Sequence, residues 1–315
     1  MNFAEQYVSL LDHVMFNGEV WISNVCFDME IPIVEKNNRT NSLIRELSGG
    51  VSMKINLHDN VLPTCGVRKI SPVTAAAENA WCILGHNHID WLRTHTRVWD
   101  QFADVMECRE CDGRGHGDFA DQDCDVCGGS GNVYWLNQAY GNRWKHTFGV
   151  DQLIAGLNRL TRDPSDRRVW ISSWDPSNDI TSDGHTVPCP VGFTLSITNG
   201  RLNSSLMIRS SDIVMGLPHD VMRHTFLMWA VAETLNTNMG YMQITLAHPH
   251  VYEKHWEVAN LMRQQILVIP KFMRVRWPVD RIFATPDAYV HEIRKTTHTW
   301  ATEWPTFRPK MEVVP

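Results

Sequence analysis

The 315-residue chain predicts an α+β fold, a large mixed and largely antiparallel sheet with helices, plus a small four-cysteine zinc insert. Three observations predict it. Helix-period and strand-like segments are mixed along the chain. Thr198-Asn199-Gly200 stands between two strand-like runs, Val191–Ile197 and Leu202–Ile208, and Asn-Gly in that setting signals a hairpin. Two cysteine pairs, Cys108–Cys111 and Cys124–Cys127, are separated by twelve residues, and each is followed by a glycine hook.

The elements follow in order. Phe3, Tyr7, Leu10, Leu11 and Val14 recur at helical spacing and predict a helix over 3–17. A strand-like stretch covers Val20–Cys26, and Glu35 to Thr40 form a polar loop. A long helix is expected over 72–94, with Ala75–Ala77, Ala80, Trp81, Ile83 and Leu84 on its apolar side. The cysteine insert spans 105–132. A helix over 151–162 leads to the β-type run Val169–Trp174 and then to the hairpin. Beyond it come a helix at 218–236 and strands at 241–247 and 265–273. GxGxxG and Walker loops are absent from the sequence, which argues against a Rossmann or P-loop enzyme.

Hydrophobic residues make up 43% of the chain, enough for a large core. The net charge of −6 and pI near 6.2 exclude an electrostatic nucleic-acid binder. Anion binding must then rest on a few placed arginines. No apolar run reaches the roughly 20 residues of a membrane span. The acidic residues and missing secretory pattern at the N-terminus predict a cytoplasmic location. Its eight cysteines are therefore expected as thiols or metal ligands. Cys108, Cys111, Cys124 and Cys127 match a closed tetrahedral Zn2+ site, structural because no position stays open for catalysis. An insert with so little apolar content needs such a metal to fold.

By itself Cys189, in Val187-Pro188-Cys189-Pro190, reads as a buried cysteine before a strand. Its surroundings change the reading. Asp166-Arg167-Arg168, Arg209-Ser210-Ser211-Asp212, Gly216-Leu217-Pro218 and His250-Val251-Tyr252 follow one another along the chain. Together they resemble the thymidylate synthase family, which includes phage pyrimidine hydroxymethylases. The likeness covers nearly the whole chain apart from the insert, making 1–104 and 133–315 two parts of one synthase-like catalytic domain.

The resemblance implies a set of roles. Cys189 adds to C6 of a pyrimidine, and a neighbouring arginine such as Arg209 is expected to lower its pKa. Glu78, on a helix with Trp81, relays protons, and Tyr140 assists proton removal from C5. 5,10-Methylenetetrahydrofolate supplies the one-carbon unit, with Trp99, Asp212, Gly216, His219 and Val314 on its side of the site. Arg39, Arg209 and Ser210 hold the 5′-phosphate, while Arg167 and Arg168 reach in from the second subunit of a homodimer. His250 and Tyr252 bind the deoxyribose 3′-hydroxyl. The tail Lys310 to Val314 closes over the folate.

Two departures bear on the substrate. Asp220 stands where thymidylate synthases carry an asparagine. An amide suits uracil N3–H and O4, whereas a carboxyl sharing a proton with N3 can also accept from the cytosine N4 amine. The alternative is that Asp220 caps its helix. Pro190 replaces the histidine that usually follows the nucleophile. Deoxycytidylate hydroxymethylases share both changes, so dCMP is expected over dUMP, in a phage-infected bacterial cell. The expected product is 5-hydroxymethyl-dCMP, with 5-methyl-dCMP, or dUMP as substrate of a thymidylate synthase or dUMP hydroxymethylase, as alternatives; a nucleotide-binding module is the non-enzyme reading. The insert resembles the cysteine-rich region of J-domain co-chaperones at half the repeats. It is expected to be structural, with a protein-docking role as an alternative; its aspartates oppose direct nucleic-acid binding.

Overall fold

The structure, a computed structural model, describes residues 2–17, 19–22, 43–116, 122–124, 127–137, 139–181, 187–299 and 304–311. Its strands are β1 (Glu19–Ile22), β2 (Leu43–Glu46), β3 (Val51–Asn56), β4 (Asp104–Glu107), β5 (Asn132–Trp135), β6 (Trp170–Ser172), β7 (Pro190–Thr198), β8 (Arg201–Asp212) and β9 (Asn238–Tyr252). The helices are α1 (Phe3–Asn17), α2 (Pro72–Leu84), α3 (Asp90–Arg93), α4 (Tyr140–Asn142), α5 (Gln152–Arg162), α6 (Pro176–Asp179), α7 (Leu217–Thr234), α8 (Trp256–Arg263), α9 (Val279–Ala284) and α10 (Pro286–Thr299). None of these helices is long and apolar enough to cross a membrane.

A seven-stranded sheet runs β1-β2-β9-β8-β7-β6, with β3 also pairing β9. Every pairing is antiparallel except β8 with β9. That parallel step needs a crossover, and α7 supplies it. Fourteen residues of α7 are buried, from Leu217 to Ala232. A helix covered on all sides belongs in a protein core, and α7 packs against α2, β8 and β9. The predicted hairpin is β7–β8, turning at Asn199 and Gly200, both with positive φ.

Two expectations are corrected. The helix foreseen over 72–94 stops at Leu84, because Gly85 adopts φ +78° and its N–H closes on Trp81 O and Cys82 O. That left-handed C-cap lets the chain leave α2 and restart as α3. The other end of α2 is set by Ser71, whose hydroxyl accepts from the Thr74 N–H, with Pro72 opening the first turn. The strand foreseen over 265–273 is irregular, with a single bridge from Val61 to Met273. Its apolar residues lie largely exposed, Ile266 at 87%, so the run has no sheet edge to complete.

The insert stands apart. β4 and β5 form their own two-stranded sheet. Cys108, Cys111, Cys124, Cys127 and Val133 form a separate buried cluster, with Trp135 packed against it.

Candidate active site

Three elements bring the site together. Cys189 immediately precedes β7, and its carbonyl accepts the Arg209 N–H at 2.8 Å, which ties the cysteine to the far end of β8. Asp212 ends β8, and α7 begins five residues later. Helix α2 lies against α7 and presents Glu78 from a fully covered face.

Glu78 is the centre of a buried polar group. Its Oε1 accepts from Trp99 Nε1 at 2.6 Å, and its Oε2 lies 2.8 Å from His219 Nε2. Arg223 Nε stands 3.9 Å from the same Oε2. Burial alone pushes the Glu78 carboxyl up, but His219, Arg223 and Trp99 outweigh it and hold the carboxyl below its ordinary value. His219 moves the other way: burial disfavours its cation, and Glu78 raises it above the usual histidine value. The pair therefore favours imidazolium and carboxylate.

Asp220 lies one turn into α7. Its Oδ1 accepts from Arg223 at 3.4 Å, and burial raises its carboxyl above the ordinary value despite that cation and His219. The N-cap of α7 is Gly216, with no side-chain cap bond. Asp220 thus does not cap the helix. Arg223 also donates to Cys82 Sγ at 3.5 Å and lies 4.8 Å over the Tyr140 ring.

The Cys189 thiol contradicts one expectation. Arg209 pulls its pKa down, but burial is the larger effect, reinforced by Asp220 and Asp212, and the thiol is pushed up to about 11. Tyr140 is buried, and burial together with the nearby Cys189 and Asp220 holds its phenol well above the ordinary value. Tyr252 is pushed up to about 12 by burial, Asp212 and Cys189. His250 packs edge-on against Tyr252 with ring centroids 4.9 Å apart, and its Nδ1 donates to His248 O at 3.0 Å. Asp212 accepts the Val214 and Met215 amides at 2.9 and 3.0 Å, with His255 Nδ1 3.5 Å from its other oxygen. Burial raises the Asp212 carboxyl, but His255 and His250 outweigh it and hold it low.

Arg209 is half-buried, with its guanidinium 5.6 Å from the Trp174 ring and Nε 3.5 Å from Pro188 O. Ser210 is beside it, half-buried. Arg167 and Arg168 are exposed at the start of β6, and Arg168 pairs with Asp166 at 3.2 Å. Neither has a hydrogen bond or ion pair to the Glu78 group among the described residues. Arg39 and Val314 lie outside the described residues. Of the tail, Met311 is described and packs against the core.

Sequence reasoning missed Arg223, His255, Trp174 and Cys82. Arg223 had a visible signal: it is the one arginine of a largely apolar helix, three residues from Asp220. Such a residue is almost always paired when buried.

The four insert cysteines form a second site. Their sulfurs all lie within 4.8 Å of one another, with Cys108–Cys124 at 3.9 Å and Cys111–Cys127 at 3.7 Å. Four sulfurs around one zinc at about 2.3 Å stand about 3.8 Å apart, so the cluster fits that ion. The Gly115 N–H donates to Cys111 Sγ at 3.3 Å, and the Gly131 amide helps hold the Cys127 thiol below its ordinary value against burial. Both glycines have positive φ, and a Cβ on either would strike a carbonyl oxygen of the opposite knuckle. Only glycine lets the two knuckles close on each other.

The thymidylate synthase family model matches residues 5–283. A curated thymidylate synthase from Mycoplasma genitalium is 25% identical over 279 residues, covering 84% of this chain and 87% of its own. The match runs through α2, β7, β8 and α7, the elements that carry Glu78, Cys189, Asp212 and Asp220, and passes across the cysteine insert. By that match the chain belongs to the thymidylate synthase family.

Proposed function

We propose that the protein transfers a one-carbon unit to C5 of dCMP and releases 5-hydroxymethyl-dCMP, with Cys189 bonded to C6 during the reaction. The observation that carries this reading is Asp220. It faces the Cys189 and Tyr140 neighbourhood from the first turn of α7, does no capping, and has a carboxyl raised by burial. A carboxyl inclined to keep a proton can share it with cytosine N3 and accept from the N4 amine. Uracil presents N3–H and O4, so it is served only while the carboxyl itself holds the proton, whereas cytosine N3 can share that proton from either side.

The residues divide the chemistry. Cys189 Sγ adds to C6 as a thiolate, and the electron pair moves to C5. The raised thiol implies that this step depends on Arg209 and on a base taking the thiol proton. Members of the family use methylenetetrahydrofolate, which supplies the one-carbon unit when bound. The half-buried Trp99, Gly216 and His219 with the acceptor Asp212 suit a flat heteroaromatic ring bearing N–H donors. The one-carbon unit would leave its folate nitrogen and bond to C5, and Tyr140 would assist removal of the C5 proton to give an exocyclic methylene. Glu78, held ionised by His219, Arg223 and Trp99, takes a proton from water as the oxygen bonds to the exocyclic carbon on C5. The ring electrons return, C5=C6 re-forms, and Cys189 leaves. A second reading, 5-methyl-dCMP, draws on the aromatic wall of Trp81, Trp99 and Phe102, which favours exclusion of water.

Arg209, Ser210 and Arg39 bind the phosphate, and His250 and Tyr252 the deoxyribose. The exposure of Arg167 and Arg168 supports a role on a second subunit's phosphate, in a homodimer. The four cysteines hold one structural Zn2+.

Asp220→Asn tests the substrate reading. We expect kcat/KM for dCMP to fall by on the order of 2–4 kcal/mol in transition-state binding, and that for dUMP to rise. Parallel small changes, or a wild-type preference for dUMP, would overturn it.

A further inference from the structure

The insert is joined to the active site by two legs of equal length. β4 begins at Asp104 and β5 ends at Trp135, and these two residues face each other in the register. Five residues before Asp104 stands Trp99, and five residues after Trp135 stands Tyr140. The two side chains meet edge to face, with ring centroids 5.9 Å apart. Trp99 donates to Glu78, and Tyr140 neighbours Cys189 and supports Arg223.

Described residues of both legs are tied to the segment after α2. The Leu136 N–H donates to Asn87 O at 2.6 Å, and the Ile89 N–H donates to Tyr134 O at 2.8 Å, so the segment after α2 runs along β5. Asp90 accepts the Tyr134 N–H at 3.2 Å. Arg93 lies 3.4 Å over the Tyr134 ring and donates to both oxygens of Asp100 at 3.0 and 3.3 Å. Asp100 directly follows Trp99. The far end is closed by the metal knuckles, where the Cys108 N–H donates to Gly131 O at 2.9 Å. Among the described residues, five buried ones, four of them the cysteines, make up this end's core. Without a metal that core is too small to keep the ends of β4 and β5 together.

We propose that the four-cysteine site is the clasp of a clip, and that Zn2+ in it positions Trp99 and Tyr140 against Glu78 and Cys189. This inference rests on the reading that Glu78 and Cys189 do the chemistry. It assigns the insert a positioning role, and the metal touches no reactant. Trp99 and Tyr140 then belong to the part of the molecule whose order depends on metal occupancy. An enzyme stripped of metal keeps its sheet and α7 and loses alignment.

The test compares zinc-loaded and chelator-stripped protein by amide hydrogen exchange, read beside turnover. Stripping is expected to speed exchange over 97–103 and 139–143 by about tenfold or more while 221–232 in α7 stays unchanged. Kcat should fall with little change in KM for dCMP, since Arg209 and Ser210 lie on β8, away from the clip. A second variant removes the metal but keeps the clip shut. Residues 109–130 are replaced by Asn-Gly, with Cys108→Thr, so a two-residue turn springs from the hydrogen-bonded pair at 108 and 131. This variant should keep slow exchange in both segments, keep most of kcat, and ignore the chelator. Unchanged exchange on stripping, no zinc bound after reconstitution, or loss of order in the closed variant would each overturn the clip. If exchange responds as expected but neither dCMP nor dUMP is turned over, the clip stands and the assigned reaction fails.

Discussion

The cysteine insert and the α2–α7 core solve the same problem, holding polar groups in fixed places, by opposite means. Among the described residues the insert has little apolar interior beyond four cysteines, whose sulfurs lie close enough for one ion. The core is large, and it buries Glu78, Arg223 and His224 among apolar side chains by pairing each one. Glu78 has Trp99 and His219, Arg223 has Asp220 and Cys82, and His224 has Ser204. Ligand geometry can organise a short segment locally. Buried charge needs elements that are distant in sequence, here residues 78 and 219–223.

The largest effect should come from the core side. Cys189→Ala is expected to lower turnover by at least about a thousandfold while dCMP still binds, because covalent activation is lost and the phosphate contacts stay. Isothermal titration beside steady-state assays checks this, and turnover retained in the alanine variant would sink the covalent mechanism.

Chelation should then separate the two regions. The insert is expected to lose its structure, while the thermal midpoint of the core moves by no more than a few degrees, because no metal reaches it. Near-ultraviolet circular dichroism and calorimetry together distinguish this from collapse of the whole fold. Loss of both in one transition would erase the contrast between the regions.

The buried histidine gives an effect with a definite sign. His224 accepts or donates at 2.8 Å to Ser204 Oγ, packs on Phe193, and burial followed by Arg223 lowers its pKa from 6.5 to about 3. Its folded pKa is depressed, so the unfolded chain takes up the proton first as pH falls. The stability it contributes is present above pH 6.5 and is lost between there and about 3. The loss should be on the order of 5 kcal/mol. Urea titrations at several pH values should show a shallower acid loss in His224→Gln than in the parent.

The smallest change concerns Glu78. His219→Gln removes the strongest group opposing burial, so the carboxyl should rise and the acid limb of the kcat profile should move to higher pH. An unmoved limb would mean that His219 does not set the state of Glu78.

These contrasts also explain what was legible in the sequence. Cysteine spacing is local, so the four-cysteine cluster could be read directly from Cys108 to Cys127. The β7–β8 hairpin was readable for the same reason, through Asn199-Gly200. Gly85 was a visible stop that the apolar pattern of α2 masked. The 265–273 run has strand-like residues, but strand formation needs a partner edge, which no local pattern reports. The charge of Arg223 was visible, but its partner Glu78 lies 145 residues away, which no local pattern reports. The raised Cys189 thiol followed from burial, a tertiary quantity that outweighs the single arginine seen in the sequence.

The central claim is that water completes the reaction on dCMP. Turnover of dCMP with methylenetetrahydrofolate in heavy-oxygen water, read by mass spectrometry of the nucleotide, tests it most directly. 5-Hydroxymethyl-dCMP carrying the heavy oxygen is expected if, as proposed, Glu78 activates solvent water at the exocyclic carbon. A methylated product without solvent oxygen, or product only from dUMP, would contradict it.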